Sequence, residues 1–202
     1  MSLWRGKPLI LASKSAVRKQ ILEAAGIPVA VDPANIVERA VEASKGASFS
    51  AKEVALLLAR EKALETARRR PSEVVLGADQ TLAVGERRFT KPASLAAAHD
   101  QLAALSGRTH ELHSALAVVR DGSVAFQTVV TARLSMRALS NEFIDAYVRT
   151  LENRVSTSVG AYQLESLGVH LFEKIEGDHF TILGIPLLPL LAYFRSAGLV
   201  VS

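Results

Sequence analysis

Two long runs rich in Val, Leu, Ala and Thr, residues 113–120 and 123–136, are separated only by Asp121-Gly122. An Asp-Gly pair supplies the two positive-φ positions of a type I′ turn, the connection whose twist matches that of the strands it joins. The spacing therefore predicts a long antiparallel hairpin, and any fold for this chain has to include a sheet. Helical signals occur on both sides of the hairpin, so the sheet is expected to belong to a mixed α/β architecture with helices packed around it.

The helical signals are explicit. Ser50 followed by Glu53 is a capping box opening an Ala/Leu helix that reaches Arg68, and Ser94 caps an Ala-rich helix that stops at Ser106-Gly107. Near the N-terminus the run 8–12 reads as a short strand. It is followed by Ser13-Lys14-Ser15 and by Val17, Ile21, Leu22 and Ala25 at helical spacing, closed by Gly26 and Pro28. Residues 73–84 read as a strand that is continuously apolar at Val74, Val75 and Leu76 and is then interrupted by Gly77 and Asp79. Further on, 141–150 is expected to be a short helix and 152–158 a loop. Segments 160–165, 169–175 and 179–183 read as short strands or turns, and 187–196 as the last helix. With no repeat and no linker, 1–202 reads as a single domain.

Composition narrows the function classes. The chain has no cysteine, which excludes disulfides, thiolate metal sites and a cysteine nucleophile. Its longest apolar runs fall far short of the roughly 18 residues a membrane helix needs, and no signal-peptide core precedes the first strand. A cytoplasmic protein with no membrane partner is expected. The net charge is only +4, and the aromatic residues, 5% of the chain, are not interleaved with basic ones as a single-strand platform requires, so no nucleic-acid partner is expected.

Chemistry has few places to sit. Ser13-Lys14-Ser15 with Arg18 lies between a strand and a helix N-terminus, where backbone N–H groups favour an anion. The turn is either a phosphate seat or an ordinary serine cap beside a solvated arginine. Asp79 interrupts an apolar strand, and an unpaired carboxylate buried there would cost several kcal/mol, on the order of a broken buried pair. A divalent cation, a Lys or Arg, or backbone donors would have to compensate it, unless the strand ends at Leu76 and Asp79 lies in a turn. Lys62 near the apolar stripe of its helix, Lys91 before Pro92, and Glu165 are further candidates. The five histidines show no metal-ligand spacing, and there is no nucleophile elbow.

Taken in order, these segments resemble the Maf family of nucleoside triphosphate pyrophosphatases. The resemblance is carried by Leu11-Ala12-Ser13-Lys14-Ser15 with Arg18, by Lys62, by Gly77-Ala78-Asp79, by Lys91-Pro92 and by Leu105-Ser106-Gly107 with His110. Gly160-Ala161-Tyr162, Gly177-Asp178 and Gly184-Ile185-Pro186 continue it. It implies an elongated mixed β-sheet flanked by helices, two lobes with a cleft, a homodimer, and metal-dependent hydrolysis of a nucleoside triphosphate to the monophosphate and pyrophosphate.

In that scheme Ser13, Ser15 and Arg18 bind substrate, and Arg18, Lys62 and Lys91 clamp phosphate oxygens. Asp79 holds Mg²⁺ or Mn²⁺ or takes the proton of the attacking water, with Glu38 as a second metal ligand. Three positions bear on the base. Gln80 with Glu165 is similar to the 7-methyl-GTP pyrophosphatase branch. Val17 departs from it, because it removes the aromatic face suited to a cationic methylated guanine. Thr90 before Lys91 and Thr157-Ser158 before Gly160 also depart from the family pattern. The alternatives are a dTTP- or UTP-preferring enzyme of the same family and a non-catalytic nucleotide-binding regulator of cell division.

Overall fold

Period-2 patterning in the first strand decides how the sheet is buried. In the computed structural model, which describes residues 3–43 and 49–201, strand β1 (Leu9–Leu11) sends Leu9 and Leu11 into one apolar cluster and Ile10 into another. Both faces are therefore covered, as expected of a strand with parallel neighbours. β1 pairs in parallel with β2 (Val29–Val31) and with β3 (Val75–Val84). β4 (Arg87–Phe89) folds back antiparallel on β3. The sheet order is β2-β1-β3-β5-β6-β7, with β5 at Thr109–Arg120, β6 at Ser123–Met136 and β7 at Phe172–Glu176 antiparallel to β6. Asp121 and Gly122 both take positive φ, 52° and 74°, as the I′ turn between β5 and β6 requires.

The helices are α1 (Ala16–Ala24), α2 (Glu38–Ala43), α3 (Ala51–Arg69), α4 (Leu95–Leu105), α5 (Asn141–Leu151), α6 (His179–Ile182) and α7 (Leu187–Ser196). Ser15, Ser50, Ser94 and Ser140 each accept a hydrogen bond from a backbone N–H of the first turn they precede, and Ser50 with Glu53 forms the full capping box. Among the described residues no helix is long and apolar enough to cross a membrane.

The described residues form two compact units. The first contains the chain up to Gln80, Ser114–Val130 and the segment from Asp178 onward; the second contains Thr81–His113 and Thr131–Gly177. In the first unit, Leu9, Leu11, Leu76, Leu116 and Val118 pack with Leu22 of α1 and with Leu190 and Phe194 of α7. On the opposite face Ile10, Val75, Ala115 and Ala117 meet a row of small residues on α3, Ala55, Ala59, Ala63 and Ala67. In the second unit Leu102 and Leu105 of α4, Ile144 and Leu151 of α5, and Leu112, Leu134 and Met136 are each buried.

Several local expectations change. Segment 179–183 is the one-turn helix α6, because Asp178 caps it by accepting from the Thr181 N–H at 2.9 Å. Segment 160–165 contains no strand; Val159–Ala161 is a 3-10 turn in which Gly160 and Ala161 take positive φ. Only the end of 169–175 is extended, since Leu167–Leu171 is a 3-10 helix leading into β7. Glu152–Thr157, expected as loop, is also a 3-10 helix. β2, α2 and β4 have three, six and three residues, too few for a periodic signal.

Candidate active site

β3 does not end at Leu76. It runs on to Val84, so Asp79 is a strand residue, only 7% exposed. Its compensation comes from α3, where Lys62 Nζ lies 2.6 Å from Asp79 Oδ1. The same ammonium lies 2.6 Å from Glu38 Oε1 on α2, so one lysine is shared by a buried and a half-exposed carboxylate. Gly77 makes this approach possible. A Cβ built there would lie 2.1 Å from the Ala59 carbonyl oxygen and 2.7 Å from the Ala63 nitrogen, and only glycine lets α3 close onto the strand. Residues 77 and 79 share a strand face, so the same close packing presents Asp79 to Lys62.

The turn between β1 and α1 brings in the arginine. Ser15 is the N-cap of α1, and its own N–H donates to Ser13 Oγ at 3.3 Å. Arg18, in the first turn, is tucked in rather than solvated. Its Nη1 donates to the Ala78 carbonyl at 2.7 Å and to Ser13 Oγ at 3.2 Å, and its Nε donates to the Gly184 carbonyl at 3.1 Å. Ser15 thus serves as the cap, while Arg18 is anchored next to the aspartate by protein acceptors instead of being solvated. These bonds use Nε and Nη1, and among the described residues the Nη2 hydrogens are the donors left over.

Electrostatics follow from the burial. Desolvation raises the Asp79 pKa above its ordinary value, opposed by the charges of Lys62 and Arg18 and by the Lys62 hydrogen bond, with Glu38 adding to the rise. Desolvation likewise lowers the Arg18 pKa, opposed by Asp79 and Glu38. A carboxylate in this setting is a better proton acceptor than one in water. As for a metal, among the described residues there is no group of three or more His, Cys, Asp or Glu suited to hold one. Asp79 and Glu38 are a pair of hard oxygen donors already converging on one cation. That donor set fits Mg²⁺ or Mn²⁺, which are held through one or two carboxylates and completed by substrate phosphates and water.

The other candidates divide by location. Val17 is half-buried and packs against the core of the first unit, so it presents no aromatic or polar face. Gln80 turns its amide inward: Nε2 donates to Ser114 Oγ at 2.8 Å, to the Ile182 carbonyl at 2.9 Å and to the Thr181 carbonyl at 3.2 Å. Lys91 and Glu165 are both exposed, and both belong to the second unit.

Sequence reasoning missed four participants: the Ala78 and Gly184 carbonyls that hold Arg18, and Ser114 and Thr181, both fully buried. A signal existed for two of them. Ser114 is a polar residue at the head of the apolar run Ala115 to Val119, and Asp178 three residues before Thr181 has the spacing of a helix cap.

The residues of this constellation all lie within a stretch that matches a known family. The family described as Maf-like protein matches residues 8–197. The chain belongs to the Maf family. Relatives of this Maf chain match nearly all of its length. A nucleoside triphosphate pyrophosphatase of Bradyrhizobium diazoefficiens is 54% identical over 201 residues, 99% of each chain. A protein of the same name in Nitrobacter winogradskyi is 56% identical over 200 residues, 98% of each. A 7-methyl-GTP pyrophosphatase of Mesorhizobium japonicum is 50% identical over 191 residues, covering 94% of this chain and 96% of its own.

Proposed function

We propose that this Maf chain hydrolyses nucleoside triphosphates to the monophosphate and pyrophosphate, with Asp79 as the central catalytic group. The observation that carries the reading is the convergence of Asp79 and Glu38 on Lys62 beside the anchored Arg18. Two carboxylates and two cations in one place are what displacement at phosphorus needs, because such catalysis consists mostly of positioning and charge neutralisation. The names of the relatives that match nearly all of the chain support it.

In the reaction, water attacks the α-phosphorus, the bond from that phosphorus to the α–β bridging oxygen breaks, and pyrophosphate leaves. The proton of the attacking water passes to Asp79, whose desolvation suits it to accept one. Arg18 and Lys62 hold phosphate oxygens, Arg18 through the Nη2 hydrogens that its bonds to Ala78, Ser13 and Gly184 leave over. The oxygen of Ser13 accepts two hydrogen bonds and, among the described residues, its hydroxyl hydrogen is left to donate to phosphate. Lys91 is the third phosphate-binding cation by resemblance. Mg²⁺ or Mn²⁺ would be held by Asp79 and Glu38, and when bound it neutralises phosphate charge.

For the base we propose a preference for guanine-type triphosphates, including 7-methyl-GTP. An ionised Glu165 only accepts, which suits the N1–H and exocyclic amine of guanine and opposes the carbonyls of uracil and thymine. The 50% identical relative named for 7-methyl-GTP agrees with this. Pyrophosphate release from a panel of triphosphates with Mg²⁺ or Mn²⁺ tests both parts. Release from none would overturn the enzymatic reading in favour of a nucleotide-binding regulator. Faster turnover of dTTP or UTP than of every guanine nucleotide would overturn the preference. Asp79→Asn is expected to lower turnover by at least ~10²-fold while triphosphate binding persists, the scale of a lost general base. A folded variant of near wild-type activity would remove Asp79 from the chemistry.

A further inference from the structure

Gln80 follows the catalytic aspartate directly, and its resemblance-based role is to distinguish bases. Its hydrogen bonds describe another task. A primary amide has two N–H groups, and in Gln80 they meet three oxygens: Ser114 Oγ at 2.8 Å, the Ile182 carbonyl at 2.9 Å and the Thr181 carbonyl at 3.2 Å. Two of these are backbone carbonyls and can only accept, so the nitrogen end of the amide must face them and the alternative flip is ruled out. Ser114 completes the arrangement. Its hydroxyl donates to the Thr181 carbonyl at 2.6 Å and therefore accepts from Gln80. No N–H of Gln80 is left for a ligand.

The segment held in this way leads directly to Arg18. Asp178 caps α6 through the Thr181 N–H and the Thr181 hydroxyl, and the Gly184 N–H donates back to the Thr181 carbonyl at 3.0 Å. The next carbonyl along, that of Gly184, receives Arg18 Nε at 3.1 Å. The fit is close, since a Cβ at 184 would lie 3.2 Å from that nitrogen. Gln80 and Ser114 thus fix 181–182, these fix 184, and 184 fixes one edge of the guanidinium whose other nitrogen is bonded to the Ala78 carbonyl of the same strand as Gln80.

We propose that Gln80 is a positioning residue for Arg18, acting through the carbonyls of 181–184, so that its N–H groups serve the arginine and offer no donor to a base. The proposal rests on the reading of the site as one that binds triphosphate. It assigns position 80 to the phosphate end of the substrate, so its effect must be the same whatever base is attached.

The test uses a ligand with no base. Gln80→Glu keeps the shape but turns the donor into an oxygen facing three oxygens, and is expected to weaken inorganic tripolyphosphate binding, read by titration calorimetry, by at least ~10-fold, a loss of about 1.4 kcal/mol. KM is expected to rise by a common factor across guanine, adenine, uracil and thymine triphosphates, with kcat affected less. Ser114→Ala, which removes one acceptor of Gln80 and one donor to Thr181, is expected to show the same pattern more weakly and serves if Gln80→Glu does not fold. Unchanged tripolyphosphate affinity in the folded variants overturns the proposal, as does a Gln80→Glu effect confined to one base. Failure of the wild-type protein to bind or cleave any triphosphate is a different result, and it sinks the proposed function itself.

Discussion

Asp79 and Glu38 share the ammonium of Lys62, and this sharing has opposite consequences for metal binding and for stability. If these carboxylates hold Mg²⁺ or Mn²⁺ as proposed, lysine and metal compete for the same oxygens. Lys62→Met removes the competitor at similar length, and the free protein is then expected to bind Mn²⁺ several-fold more tightly by calorimetric titration. Unchanged or weaker binding would show that these carboxylates are not the donors. For stability, the raised Asp79 pKa means that the folded state holds a proton at pH values where the unfolded chain has released it. Stability contributed by this residue therefore falls as pH rises through that window, and at neutral pH its charge is a net cost. Asp79→Asn is expected to have the higher urea midpoint near pH 7, with the advantage shrinking as acid protonates the wild-type carboxyl. A variant less stable than wild type at pH 7 would mean that the Lys62 pairing outweighs desolvation. The need for compensation at Asp79 was legible in the sequence, because a carboxylate in an apolar strand cannot stand alone. The carbonyls that anchor Arg18 were not, because every residue carries one.

At the scale of elements, the site depends on how closely α3 lies on β3. Gly77→Ala would drive a methyl into the Ala59 carbonyl and the Ala63 backbone, neither of which can move independently of α3. It is expected to destabilise the protein by at least ~2 kcal/mol in urea unfolding, within the range of overpacked cores. Loss of activity should exceed the unfolded fraction, because Lys62 moves with the helix. An unchanged urea midpoint would show that the helix shifts without cost. Elements of ten residues or more, or with explicit caps, could be read from the sequence: α3, α4 and the β5–β6 hairpin carry their own signals. The shorter ones carry less: residues 169–175 read as a short strand or turn, and the strand is Phe172–Glu176. β7 presents almost no buried side chain, so it has no alternation to read and owes its extended form to pairing with β6. α6 is one turn long and depends on Asp178.

At the scale of the whole molecule, His110 sets an acid limit. It is fully buried, its Nε2 lies 2.7 Å from Tyr162 Oη, and its Nδ1 has no hydrogen-bond partner among the described residues. Burial pulls its pKa down to about 4. The unfolded chain takes up this proton near pH ~6.5 and the folded one does not, so stability is complete above that value and is lost as pH falls toward the folded value, by about 3 kcal/mol at most. His110→Gln is expected to flatten the dependence of unfolding free energy on pH across this window. An equally steep slope in the variant would place the acid sensitivity elsewhere.

The path of the chain through the two units sets a timetable. It crosses between them after Gln80, His113, Val130 and Gly177, so neither unit is a continuous stretch of sequence. Arg18 leaves the ribosome early, yet the Gly184 carbonyl that orients it lies 166 residues later. At about 5 to 20 residues per second this is a wait of roughly 8 to 33 seconds. For the part of it after Asp79 is made, the nascent chain can carry Glu38, Lys62 and Asp79 but not the Gly184 carbonyl that orients the arginine. Until Gly184 has been made, Arg18 lacks one of the carbonyls that orient it, and a shorter growing polypeptide carries the guanidinium without its full seat.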